Sequence, residues 1–279
     1  MVSRAETIPA NNCGGCASNC NTAHLTKLGI KSGNFDYVVA LAGNPNTGKS
    51  TIFNSLTGLN QHVGNWAGKT VTRAEGAFSI NDKRFKLVDL PGTYSLLSTS
   101  VDEEIARDFI LFGKPHVTII VTDATCLERN LGLTLQILEI TDRAVIALNL
   151  IDEARRSNLK IDERILAKDL DVPVVPMAAR RGEGIKELLQ AVETVAGGSF
   201  PTRSRRIHYG DAKLETAVET LAARLRETFD DLPNARWVAL RLIEGDESII
   251  RAVREKTLGT LKDLKHSDFP NQLVQLEAR

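Results

Sequence analysis

Residues 37–58, YVVALAGNPNTGKSTIFNSLTG, pass from a β-branched apolar run through a glycine-bounded turn into a segment with helical spacing. The turn, Gly43-Asn44-Pro45-Asn46-Thr47-Gly48-Lys49-Ser50, matches GxxxxGK[ST] at every fixed position. Its physical logic is a loop whose main-chain N–H groups converge on phosphate oxygens. Glycines allow the close approach, and the N-terminus of the following helix adds partial positive charge. Lys49 is expected to reach the terminal phosphates and the Ser50 hydroxyl to ligate Mg²⁺, with Thr51 completing the loop. The bland alternative is a strand–helix turn with an incidental lysine; the strand before and the helix after argue against it.

Working outward, short apolar runs recur at 85–90, 117–123, 144–150 and 172–178, each bounded by Gly, Pro, Asn or Asp. Between them lie amphipathic stretches at 49–58, 102–113, 127–139, 162–170 and 184–195. Strands alternating with helices predict a mostly parallel α/β sheet covered on both faces. Residues 73–81 and 82–90, with a turn at Asn81-Asp82, read instead as an antiparallel hairpin. The small, Pro-containing segment 196–204 reads as a domain boundary. Beyond it, 212–229, 234–245 and 246–259 read as two or three amphipathic helices. The expected organisation is an arm at 1–35, an α/β domain at 36–196 and a helical domain at 205–270.

Composition limits the function. The chain has 279 residues, with 35 Lys+Arg against 35 Asp+Glu and 42% hydrophobic residues. That apolar content excludes disorder as the main state, and the zero formal charge disfavours a nucleic-acid partner. No apolar run approaches the roughly 18 residues of a membrane span, so the chain is expected to be soluble. Three of its four cysteines fall within the first 20 residues, which is not a disulfide framework and suits a reducing compartment.

Two further motifs carry chemistry. Asp89-Leu90-Pro91-Gly92 ends a predicted strand, where the aspartate would contact Mg²⁺ through water and the Gly92 N–H would approach a γ-phosphate. Asn149-Leu150-Ile151-Asp152 ends another, where the Asp152 carboxylate would accept the N1–H and 2-amino hydrogens of guanine. Adenine lacks those donors, so such a site can discriminate by about 10⁴–10⁵-fold. In the polar loop LNQHVGNWAGKT, Thr70 stands 20 residues after Ser50 and is the switch candidate, with Thr72 equally available. Trp66 there reads as a packing or contact residue.

With these motifs in register, the sequence resembles the N-terminal GTPase domain of the FeoB ferrous-iron transporter family. GNPNTGKSTIFNSLTG, VGNWAGKTV, LVDLPGTYSL and TDATCLERNLGLTLQ carry the likeness across 37–196, and the following helices resemble the family's dissociation-inhibitor domain. The resemblance implies a Ras-like P-loop GTPase fold and slow GTP hydrolysis. It implies Thr70 as the magnesium-sensing threonine, with Gly68 and Lys69 beside it against the nucleotide. It makes Asn46 the ligand of a K⁺ ion that would replace an arginine finger. Catalysis would rest on Lys49, Asn46, Thr70 and Gly92, with no glutamine at Thr93 to orient water. Met177-Ala178-Ala179 would form the base-contacting loop, where Ala178 replaces the family's usual serine and faster nucleotide release is expected. The implied setting is the cytoplasmic face of a bacterial inner membrane. The partners would be GTP and GDP, a downstream iron-permease region of the same polypeptide, and a small regulatory protein or a second copy.

Weaker signals stay open. Cys13, Cys16, Cys20 and His24 have a spacing a metal could use, or are incidental thiols of an arm. Arg203-Ser204-Arg205-Arg206 is either a solvated linker or a contact for an anionic membrane. An RNA- or ribosome-associated assembly GTPase is the competing function, since it shares every nucleotide motif. A nucleotide-controlled binding module with negligible catalysis is the third.

Overall fold

The computed structural model describes residues 35–58, 61–66, 69–97, 100–200, 210–229 and 232–255. The cysteine arm with His24, Gly68, and the Arg203–Arg206 run lie outside the described residues.

Seven strands among these residues form one sheet: β1 (Tyr37–Gly43), β2 (Gln61–Asn65), β3 (Thr72–Ile80), β4 (Lys83–Asp89), β5 (Val117–Asp123), β6 (Ala144–Asn149) and β7 (Val174–Pro176). Their spatial order is β2-β3-β4-β1-β5-β6-β7. β4, β1, β5, β6 and β7 run parallel, while β2 and β3 are antiparallel to their neighbours. The hairpin turn falls at Asn81-Asp82 with both residues at positive φ, the geometry a two-residue connection requires.

The central strands bury both faces. In β1, Val38, Ala40 and Ala42 face one core while Val39 and Leu41 face the other, as the two-residue period of a strand dictates. Helices α1 (Lys49–Thr57) and α6 (Ile185–Ala196) cover the second face through Ile52, Phe53, Leu188 and Val192. The first is covered by α2 (Val101–Gly113) and α3 (Leu127–Ile140). Ser100 caps α2 by accepting from the Glu103 N–H, and three acidic residues occupy its first turn, where the helix dipole favours them. The short α4 (Ile151–Arg156) and α5 (Glu163–Leu170) connect β6 to β7.

Helices α7 (Ala212–Thr228), α8 (Ala235–Ile243) and α9 (Glu247–Arg254) follow. They form a helical domain whose Val218, Ala222, Trp237 and Val238 share the core of the α2/α3 face. Asn234 closes this junction from both sides. Its carbonyl oxygen caps α8 at the Trp237 N–H, and its amide donates to Glu139 O at 2.6 Å at the end of α3. From α2, the buried Arg107 reaches Ser248 Oγ at 2.7 Å at the start of α9.

Three differences from the sequence reading stand out. Residues 61–65 form an edge strand inside what reads as a polar loop; main-chain pairing to β3 holds it although Val63 is 60% exposed. The run at 172–178 shortens to three strand residues. Residues 151–156 form a helix too short for a hydrophobic period to mark.

His116, immediately before β5, is buried, with Nδ1 accepting from the Val38 N–H at 2.9 Å. Burial of the ring, then the nearby Arg143, holds its pKa below the ordinary 6.5. The unfolded chain therefore binds a proton that the native ring resists, so stability should fall as pH drops below about 6.5 toward the lowered native value. The slope is bounded at about 1.4 kcal/mol per pH unit. His116→Asn, which keeps an acceptor near Val38, should flatten this part of a melting-temperature profile; an unchanged slope would reject the assignment.

Candidate functional site

Because β1, β4, β6 and β7 are parallel, the loops after Gly43, Asp89, Asn149 and Pro176 emerge at one edge of the sheet. That edge is where open α/β sheets bind ligands.

The loop Gly43–Ser50 is held tightly. At Gly43 an added Cβ would lie 2.6 Å from Val121 O of the adjacent strand. Gly48 has φ +85°, and a Cβ there would overlap the amide nitrogen of Asn149. Thr47 is buried and donates to Asn44 O at 2.9 Å. Asn44 is buried with both amide atoms unpartnered. Asn46 is exposed with φ 67°, and Ser50 is exposed on the first turn of α1. Pro45 lies against Gly92 of the neighbouring loop.

Lys49 Nζ reaches Asp89 Oδ1 at 2.5 Å and Leu90 O at 2.7 Å. Burial pushes the Asp89 carboxyl up, with Lys49 pulling the other way. Leu90 and Thr93 are themselves buried, so the side chain of Thr93 packs inward. Ser50 and Asp89 offer hydroxyl and carboxylate oxygens, the hard donors that Mg²⁺ takes.

Asn149 joins three motifs. Its amide donates to Thr47 O at 2.9 Å, and its Oδ1 accepts from the Ala179 N–H at 3.1 Å. Leu150 then takes a left-handed φ of 61°, unusual for a bulky residue and a mark of functional sites. Ile151 N–H donates to Met177 O at 3.0 Å, anchoring α4 while Ile151 packs into a small core with Ala178. Asp152 thereby lines a cleft of about 310 Å³ together with Asn46, Gly48, Thr51, Asn149, Leu150, Ala178 and Ala179. Met177 is fully buried, so its side chain belongs to the core and its main chain to the loop. Glu153, Arg156, Arg180 and Arg181 also line the cleft; charged residues with no motif of their own gave the sequence reading nothing to single out.

Thr70 lies exposed in the connection between β2 and β3, which is tied at its base by Trp66 N–H to Val71 O at 3.0 Å. Trp66 is buried and packs edge-on against Phe109 of α2, with the Arg73 guanidinium over its ring. Lys69 pairs with Glu104 of α2 at 2.7 Å. The connection is thus fastened to the helix that follows the Asp89–Gly92 loop.

A mostly parallel sheet with GxxxxGKS after β1, DLPG after β4 and NLID after β6, all at one edge, defines a P-loop G domain. The model of the ferrous iron transport protein B family matches residues 37–192, and that of the FeoB cytosolic helical domain matches 209–267. The chain belongs to the ferrous iron transport protein B family. It is 44% identical over 212 residues to the Fe(2+) transporters FeoB of Shigella flexneri and of Escherichia coli strain K12, covering 75% of this chain and 27% of each relative. The chain therefore spans about a quarter of the length of those relatives. Among solved structures, the cytosolic domain of T. maritima FeoB in its GDP form I is 38% identical with a TM-score of 0.71, covering 82% of this chain and 87% of that one. The FeoB G-domain from Methanococcus jannaschii is 47% identical with a TM-score of 0.52, covering 58% and 97%. Among the described residues no helix is long and apolar enough to cross a membrane, and no cluster of His, Cys, Asp or Glu could hold a metal ion.

Proposed function

We propose that this chain binds GTP and hydrolyses it slowly, as the regulatory unit of a ferrous-iron transporter on the cytoplasmic face of a bacterial inner membrane. The observation that carries the reading is Asn149, which ties the phosphate loop at Thr47 to the base loop at Ala179 while Asp152 faces the cleft between them. Main-chain N–H groups of Gly43–Ser50 would cradle the phosphates, and Asp152 would read guanine. Ala178–Ala179 would border the base through main chain, so the missing serine hydroxyl should speed release.

Lys49 must leave Asp89 and Leu90 O to meet the phosphates, so nucleotide entry is coupled to the Asp89–Gly92 loop. Ser50, Asp89 through water, and Thr70 would hold Mg²⁺, which would supply positive charge against the phosphates. Asn46, exposed at the loop rim, would hold K⁺. With no glutamine after DLPG and Thr93 turned inward, the attacking water would be oriented by main chain near Gly92. The iron permease would be supplied by further polypeptide, and a small regulatory protein or a second copy would modulate turnover. The RNA-associated alternative loses ground to the family match and to the absence of a positive excess.

Single-turnover hydrolysis in K⁺ against Na⁺ tests the cation role. K⁺ should accelerate hydrolysis about tenfold or more, by analogy with an arginine finger, and Asn46→Ala should abolish the difference. Equal rates in both salts would reject K⁺ assistance while leaving nucleotide binding untouched.

A further inference from the structure

Asp152 is already engaged. Arg181, at the end of the 3₁₀ turn Ala179–Arg181, places its Nε 3.2 Å from Asp152 Oδ2. Arg156 approaches the same oxygen at 3.7 Å while also facing Glu153. The chemistry of this contact is specific. A guanidinium presents a planar edge of N–H donors, and the N1–H and 2-amino edge of guanine is the same donor pattern. The backbone beneath Arg181 is fixed: Ala179 N–H is bonded to Asn149, Ala178 and Glu183 pair across the loop, and Glu183 is bridged to Arg155 at 2.9 Å. The Arg181 side chain is 62% exposed, whereas that of Asp152 is only 17% exposed.

We propose that Arg181 is an internal competitor for guanine, occupying the Asp152 carboxylate until the base displaces it and recapturing it as the base leaves. Arg181 thereby sets nucleotide affinity and release rate. This rests on the reading of Asp152 as the guanine receptor.

The sign of the effect is diagnostic. Removing a cation near a phosphate-binding cleft should weaken nucleotide binding by simple electrostatics. Competition predicts the opposite. With the full chain and a fluorescent GDP, Arg181→Ala and Arg181→Gln should bind about threefold to fivefold more tightly, the range of one exposed ion pair. Release should slow correspondingly, with the melting temperature unchanged. In an Asp152→Asn background the gain should vanish, measured with xanthosine diphosphate. Weaker or unchanged GDP binding in both Arg181 variants, or equal tightening in the Asp152→Asn background, overturns the proposal. If Asp152→Asn alone leaves the preference for GDP over xanthosine diphosphate unaltered, the base-reading assignment fails first. If it reverses that preference while Arg181→Ala does not tighten binding, competition alone fails.

Discussion

Asp152→Asn is expected to reverse base preference, changing the ratio of GTP to XTP affinity by about 10⁴-fold, the scale on which a buried hydrogen-bonding site rejects a mismatched partner. The carboxylate is mostly buried at the start of α4 and is acceptor-only, suited to two guanine N–H donors. An asparagine keeps one acceptor but adds an N–H₂ group, which would face the guanine amino group and leave donors opposed. Xanthine carries a carbonyl at that position and would accept from the amide. The fold should hold, because Arg181 and Arg156, the partners left behind, are more than half exposed and such pairs contribute about 0–1 kcal/mol. Competition binding of GTP and xanthosine triphosphate measures the ratio. An unchanged ratio would refute the role of Asp152.

Gly48→Ala is the second large effect. Gly48 sits at φ +85°, a conformation that costs a non-glycine residue about 1–3 kcal/mol. The added methyl would also strike the Asn149 amide, which holds Thr47 O and the Ala179 N–H. One carbon therefore disturbs the Gly43–Ser50 loop, the NLID segment and the Met177–Ala179 loop together. Nucleotide binding should fall by about 100-fold or more, with about 2 kcal/mol set by the loss of one buried hydrogen bond and strain for the rest. The melting temperature should drop by several degrees, at about 2–4 °C per kcal/mol for a chain of this size. Binding and melting curves both matching the parent would show that the loop tolerates a side chain there.

The central sheet was legible because its strands are buried on both faces and so appear as unbroken apolar runs, as in β1, β5 and β6. The hairpin of β3 and β4 was legible from Asn81-Asp82. β2 was not: its side chains are mostly polar and one apolar residue, Val63, points outward, so no alternation marks it. α4 is shorter than two helical turns, and its start depends on Leu150 adopting a left-handed conformation that no residue preference suggests. The GNWAGKT segment carried a family likeness, yet its attachment to α2 through Trp66–Phe109 and Lys69–Glu104 joins residues about 35–43 positions apart in the chain.

Local chemistry explains the division. The sequence alone determined where the three nucleotide-type motifs lie, because glycine placement, a lysine and a carboxylate act through short-range geometry within single loops. Tertiary structure decided how those loops meet: that one amide, Asn149, holds two of them, that Lys49 rests on Asp89, and that Arg181 lies against the Asp152 carboxylate. Each of these joins residues brought together only when parallel strands place their ends at one edge, and no spacing along the chain encodes such a meeting.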